Sequence, residues 1–299
     1  MPASFFMLLA TLLFATMGVC VKLASSSYDP GEIVMYRGLT GMLMLGLLSR
    51  LPGGAGLATK VPAMHFWRSI SGVISLVLWF YAIGHLPLAT AMTLNYMSSV
   101  WMALFLLGGA VLMGSSRIDG RLIAAVLVGF LGVALVLRPS MDARLAWYAL
   151  AGLLSGMLAA MAYLQVTALG RVGEPESRTV FYFSLGGAVA GALFTLASSG
   201  RFHAHTLRGA GLLLAVGLLA TGAQLALTRA YAKGRALTNA CLQYLGIVFS
   251  CVFGVLLFND TLQAPALLGI FLIIAAGIAA TLLRTRSTPP DSQHSISES

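Results

Sequence analysis

The residues best able to do chemistry in this chain are polar side chains set inside long apolar runs. Between 235 and 258, Asn239, Gln243, Gly246, Ser250 and Gly254 recur at steps of three or four and share one helix face. Between 207 and 231, Thr221, Gln224 and Thr228 do the same, and between 87 and 113 stand Asn95, Tyr96, Ser98, Ser99 and Trp101. Amides donate and accept hydrogen bonds, and tyrosine rings add an apolar wall with a hydroxyl tip. That mixture suits recognition of a small amphipathic solute rather than bond making. A plainer reading stands beside it. Gly246, Ser250 and Gly254 also form a small-residue stripe for close helix packing, and threonines can bond back to their own helix. Arg37, about five residues into its run, has two readings. It snorkels outward or pairs with Asp29 or Glu32, or it turns its guanidinium toward a solute carboxylate. The candidate binding set is therefore Asn95, Tyr96, Gln243, Tyr244, Gln224, Trp101 and Arg37, with Trp79, Tyr81, Tyr163 and Tyr182 as further candidates for a cavity wall.

Several chemistries have no residues to carry them. No Asp or Glu stands in the middle of an apolar run, so a carboxylate proton relay is not expected. All five histidines fall in loops, run ends or the tail, and Cys20, Cys241 and Cys251 lie in apolar stretches without a Cys-x-x-Cys. A metal centre, a disulfide framework or a hydrolytic cluster would need convergent side chains that this pattern lacks. No cofactor is expected.

The elements that must position these residues follow from composition. Of 299 residues, 59% are hydrophobic and 9% charged, and mean hydropathy is +0.90. A soluble domain carries roughly a quarter of its residues as charged side chains, so an all-α chain embedded in lipid is expected. The net charge of +9 comes from basic residues scattered in ones and twos, which excludes a nucleic-acid reader. Runs long enough to cross about 30 Å of hydrocarbon lie near 4–24, 32–50, 66–85, 87–113, 120–138, 146–168, 178–198, 207–231, 235–258 and 264–284. The first run has no basic segment before it and no usual cleavage site after it, so it reads as a retained span. With both termini cytoplasmic, Arg50, Lys60, Arg68, Arg117, Arg121, Arg171, Arg178, Arg229, Lys233, Arg235, Arg284 and Arg286 face inward. Only Arg138, Arg144, Arg201 and Arg208 face outward, and that asymmetry sets the orientation. Lys22 reads as a snorkelling anchor.

The chain also repeats itself. Shifting the first half by 148 positions lays Thr90–Phe105 on Thr238–Phe253, with Thr90/Thr238, Leu94/Leu242, Tyr96/Tyr244, Val100/Val248 and Phe105/Phe253 identical and Asn95 on Gln243. Five spans in each half force the halves to lie upside down to each other, a recurrent way to build a secondary transporter. The expected division is 1–140 and 141–286 as the two five-helix repeats, with 287–299 a disordered cytoplasmic tail.

Ten spans in two halves, Pro30 with Tyr36-Arg37, Leu86-Pro87 followed by Leu-Ala-Thr-Ala, and glycines at 129, 132, 269 and 277 resemble the EamA-like members of the drug/metabolite transporter superfamily. Many relatives carry a Gly-Glu pair where the fourth and ninth spans end; this chain has Gly114-Ser115 and Asn259-Asp260 there. The resemblance implies an inverted-repeat fold and movement of a small organic metabolite across a bacterial cytoplasmic (inner) membrane, with export favoured. The partners expected are the solute and the bilayer, with no nucleic acid, and the chain is a monomer or homodimer. Import of a nucleoside-, vitamin- or sulfonium-like solute is the alternative. A polytopic membrane enzyme or a scaffold is a more distant one.

Overall fold

Apolar sequence in lipid must satisfy its backbone internally, and helices do so within one segment. The structure, a computed structural model, describes residues 3–112, 120–136, 143–233, 242–261 and 263–287. Every regular element among them is a helix: α1 (Ala3–Ala24), α2 (Pro30–Leu48), α3 (Pro62–His85), α4 (Leu88–Tyr96), α5 (Ser98–Leu112), α6 (Gly120–Val136), α7 (Ala143–Arg171), α8 (Glu176–Ser198), α9 (Leu207–Lys233), α10 (Leu245–Phe258) and α11 (Ala264–Ser287). Gly114-Ser115, Asp142, Thr238, Asn239, Cys241 and the tail beyond Ser287 lie outside the described residues.

Prolines open α2 and α3 at their first turn, where the missing N–H costs nothing. α1, α2, α3, α7, α8 and α9 are each long and apolar enough to cross a membrane. Their outer faces carry apolar side chains: Leu43, Leu47, Trp147 and Leu193 are all more than half exposed. Lipid is the environment that tolerates such a surface.

The most extensive packing pairs α2 with α8, α1 with α9, α6 with α11 and α3 with α7, so each joins the first half of the chain to the second. α2 and α8 touch backbone to backbone. A Cβ on Gly191 would stand 2.5 Å from the Met35 nitrogen and 2.6 Å from the Gly31 oxygen, and one on Gly38 would overlap the Ala188 backbone. Small residues permit that approach.

The run expected to be continuous over 87–113 is interrupted at Met97, between α4 and α5. In the run over 235–258, Tyr244 interrupts the helix just before α10. Under the 148-residue shift the two interruptions fall within one residue of each other. Neither holds proline or glycine, which is why the pattern of apolar residues concealed them. In α4, the Thr93 hydroxyl donates to the Ala89 carbonyl at 2.6 Å, a back-bond that bends helices. Beyond it, the Val100 nitrogen reaches the Met97 carbonyl at 2.9 Å in a tighter turn. α7 presses on the same place: a Cβ at Gly156 would lie 2.6 Å from the Leu94 oxygen and 2.9 Å from that of Asn95.

Candidate functional site

The α4/α5 interruption borders a small cavity of about 40 Å³. Phe14 of α1, Arg68, Gly72, Ser75, Leu76 and Trp79 of α3, Asn95 and Tyr96 of α4, Ala159, Ala162 and Tyr163 of α7, Phe183 of α8 and Gln224 of α9 line it. Three of the seven residues singled out in the sequence, Asn95, Tyr96 and Gln224, stand directly in its wall, as do Trp79 and Tyr163.

The remaining four occupy different places. Gln243 is buried just before α10, where its Oε1 accepts from the Tyr231 hydroxyl at 3.0 Å and its Nε2 has no hydrogen-bond partner. It also lies within interaction range of Tyr163 on the cavity wall. Tyr244 is buried at the interruption but is not among the lining side chains. The two interrupted segments do meet. A Cβ on Gly246 would overlap the Tyr96 hydroxyl and lie 2.9 Å from its ring, so only glycine admits that tyrosine. Trp101 stands outside the cavity wall, edge-on to Phe130 at 5.3 Å and stacked with Phe105 at 6.4 Å. Tyr81 packs with His85 and Tyr148, and Tyr182 donates to the Leu57 carbonyl at 2.9 Å.

Asn95 is tethered as well as exposed to the cavity. Its Nδ2 donates to Ser155 Oγ at 3.0 Å, and that hydroxyl donates to the Gly152 carbonyl at 2.6 Å. Ser75 Oγ in turn donates to the Ser155 carbonyl at 2.8 Å, which fixes α3, α4 and α7 around one point. Thr221 bonds back to Gly217, as expected for a threonine within a helix.

The arginines correct the sequence reading. Arg37 pairs with neither Asp29 nor Glu32 and does not snorkel; it is 3% exposed, with its Cζ 5.0 Å from the centre of the Phe183 ring. Arg68, counted above among surface charges of the inner face, is also 3% exposed, and its Cζ lies 4.0 Å from the same ring. A basic residue six positions into a helix that starts at a loop reads as a surface charge, so spacing alone did not find it. Neither guanidinium has a hydrogen bond or ion pair among the described residues, and Arg37 Nε, Arg68 Nε and Arg68 Nη1 are buried without partners. A desolvated cation–π contact contributes about 2 kcal/mol, whereas burying an unpaired ion costs several kcal/mol. The ring alone does not offset that cost.

The acids among the described residues are all engaged elsewhere. Lys22 is no anchor: its Nζ lies 3.5 Å from Asp260 and donates to the Leu86 carbonyl at 3.1 Å. Asn259, left-handed at φ 52°, turns the chain so that Asp260 also accepts from the Leu88 nitrogen at 3.0 Å and caps α4. Glu32, fully buried at the start of α2, meets His203 Nδ1 at 2.8 Å, and Asp29 accepts from Ser199. At the opposite ends of these helices Glu174 accepts from Thr59 at 2.9 Å, from His65 at 3.2 Å and from Arg178 at 3.1 Å. Glu176 pairs with Arg229 at 3.4 Å. Each half of the chain thus supplies one acid and one imidazole, and both Glu–His contacts cross between halves. Desolvation pushes the Glu174 carboxyl up, but the bonds from Thr59, His65 and Arg178 and the Arg178 charge outweigh it. The result is a carboxyl held below the usual range.

A second cavity, of about 240 Å³, follows one turn further along α7 and α9, lined by Val166, Gly170, Glu174, Thr179, Thr228 and Tyr231 among others. The stacked rings of Tyr163 and Tyr231, 6.3 Å apart, stand between the two spaces. Among the described residues no group of His, Cys, Asp and Glu could hold a metal ion.

Known proteins resemble this chain. Residues 1–138 match the EamA-like transporter family. The chain is 36% identical over 278 residues to the pseudopaline exporter CntI of Pseudomonas aeruginosa, covering 93% of this chain and 94% of that one. It is 29% identical to a riboflavin transporter of Rhizobium johnstonii over 81% of this chain and 77% of that one. A crystal structure that is 18% identical superposes with a TM-score of 0.67, covering 96% of this chain and 99% of that one, which supports the fold. With buried polar residues around a cavity, an apolar exterior and relatives matched nearly end to end, the chain is a multi-pass membrane transporter rather than an enzyme, and it belongs to the EamA-like family of the drug/metabolite transporter superfamily.

Proposed function

We propose that this protein is a secondary transporter that moves a small organic metabolite, an amino acid or related compound, across the bacterial inner membrane by alternating access. Ten spans form two inverted five-helix repeats, 1–140 and 141–286, with both termini and the tail 287–299 cytoplasmic. The observation that carries this reading is the meeting of Tyr96 with Gly246 beside the cavity, where two helices are interrupted at positions related by the repeat. Helix pairs that each join one half to the other, and Glu–His contacts contributed reciprocally by the halves at opposite ends, support it further.

Asn95, Tyr96, Gln224, Gln243 and Arg37 contact the solute or hold those that do, while Tyr244 and Trp101 shape the surrounding packing. Export is the direction favoured, in keeping with the relative named as an exporter. Import of a vitamin- or nucleoside-like solute is the second reading, favoured by the relative named as a riboflavin transporter and by the ring wall of Trp79, Tyr96 and Tyr163. Purified protein in sealed vesicles, screened against a metabolite panel with and without an imposed proton gradient, tests the function. Saturable flux of an organic solute is expected. Product formation in detergent, without any membrane barrier, would replace the reading with an enzymatic one.

A further inference from the structure

We propose that Arg37 and Arg68 form an anion subsite, and that the transported solute carries two carboxylates, one for each guanidinium. The inference rests on the transport reading and deepens it. Both guanidinium groups are 97% removed from solvent by burial of their residues, both sit on the ring of Phe183, and that ring and Arg68 line the cavity. The other polar side chains on the wall, Ser75, Asn95, Tyr96, Tyr163 and Gln224, carry no formal charge. The five acids among the described residues, Asp29, Glu32, Glu174, Glu176 and Asp260, are each bonded to partners at helix ends. Arg68 on the cavity wall and Arg37 against the same Phe183 ring therefore have no anion to neutralise them among the described residues.

Charges in that position persist in membrane proteins where they meet a substrate. Phe183 lies against both guanidinium groups, and Nε and Nη1 of Arg68 are buried without partners. Nε and Nη1 lie on opposite sides of the guanidinium, so each offers its own charged N–H donor to a carboxylate oxygen. Gln243 Nε2, also buried without a partner, adds a neutral donor next to Tyr163, suited to a carbonyl or hydroxyl of the same solute. An organic dianion with a polar middle and an apolar flank fits this wall.

The test uses the purified full-length protein and follows its thermal unfolding midpoint at matched ionic strength. The probes are dicarboxylates from malonate to adipate, succinamide, putrescine and inorganic phosphate. At least one dicarboxylate raises the midpoint progressively with concentration, whereas succinamide, putrescine and phosphate leave it unchanged. Arg37→Gln and Arg68→Gln each raise the concentration needed for half the effect at least tenfold, and Arg68→Lys, which keeps the charge but not the guanidinium donors, falls between. Without any probe, Arg68→Gln unfolds at the wild-type midpoint or higher, because the ring contact it loses is smaller than the burial cost it removes. The inference is overturned if no dicarboxylate acts, if phosphate or succinamide acts as well as the dicarboxylates, or if the Gln variants keep the full response. It is also overturned if Arg68→Gln lowers the probe-free midpoint and leaves the response intact. Vesicle flux of a neutral or cationic solute that ignores both arginines would overturn the dicarboxylate inference and leave the transport reading standing.

Discussion

Replacing Gln243 and Asn95 in turn by leucine separates solute binding from helix packing, because the two amides are bonded differently. Asn95 Nδ2 is committed to Ser155 Oγ at 3.0 Å in a buried site. A hydrogen bond between membrane helices contributes about 0.6 kcal/mol on average, roughly a threefold change in the folding equilibrium. Ser155 keeps its bond to the Gly152 carbonyl when Asn95 is replaced, so no new orphan is created and the loss stays near that value. Gln243 differs. Its Oε1 holds the Tyr231 hydroxyl at 3.0 Å, but its Nε2 is buried with no partner. Leucine there removes one bond worth about 0.6 kcal/mol, and the Tyr231 hydroxyl it leaves is only partly buried. It also removes an unsatisfied donor whose burial costs about 1–3 kcal/mol, so folding is unharmed or improved. If Nε2 meets the solute, losing a bond of about 1.4 kcal/mol weakens binding about tenfold. The assay pairs the thermal midpoint of the purified variants with half-saturation in sealed vesicles. Gln243→Leu keeps its midpoint and loses affinity, while Asn95→Leu loses a little stability with a smaller change in affinity. The opposite assignment, with Gln243→Leu unstable but of normal affinity, would refute the argument.

Other consequences are open to direct measurement. The Glu174 carboxyl is held below its ordinary value of 4.5, so its contribution to stability is present above that pH and fades as pH falls through the lowered value. Glu174→Gln therefore lowers the thermal midpoint at pH 7 by a few degrees and flattens its fall on acidification, and an unchanged acid profile would contradict the network. For topology, an impermeant thiol reagent applied to intact cells labels His203→Cys but neither Gly56→Cys nor Ile118→Cys, in a background with Cys20, Cys241 and Cys251 replaced. Labelling at 56 would reverse the orientation. Transport by facilitated diffusion or exchange, in keeping with the lack of an acid on the cavity wall, continues in Glu32→Gln and in vesicles treated with protonophore. Collapse of flux in both would require proton coupling through Glu32, which is fully buried against His203.

Much of the architecture was legible because lipid imposes a simple rule on sequence. Helix spans follow from unbroken apolar runs, and the polar pair that recurs inside apolar surroundings, Asn95-Tyr96 and Gln243-Tyr244, is what points to the proposed repeat. The interruptions at Met97 and Tyr244 were not legible, since no proline or glycine marks them and the first depends on a threonine back-bond and the approach of Gly156. Arg68 was hidden for a different reason. Counting basic residues by side treats each one near a helix end as surface charge, and burial against Phe183 is a tertiary fact. Lys22 and Asp260 lie 238 positions apart, so nothing local announced their contact. Trp101 shows the reverse error: its position beside Asn95 in sequence pointed to the cavity, but the turn at Met97 carries it toward Phe130.

Alternating exposure of one cavity is the centre of this account, and a cysteine at Ala162 reports on it directly. Ala162 is 2% exposed and lines the same cavity wall as Arg68, Asn95 and Gln224 without a polar side chain of its own. In oriented sealed vesicles, with the native cysteines replaced, Ala162→Cys should react with an impermeant reagent from either face, and a saturating transported solute should shift the balance between the two rates. Reaction from one face only, under every condition and unaffected by solute, would contradict alternating access.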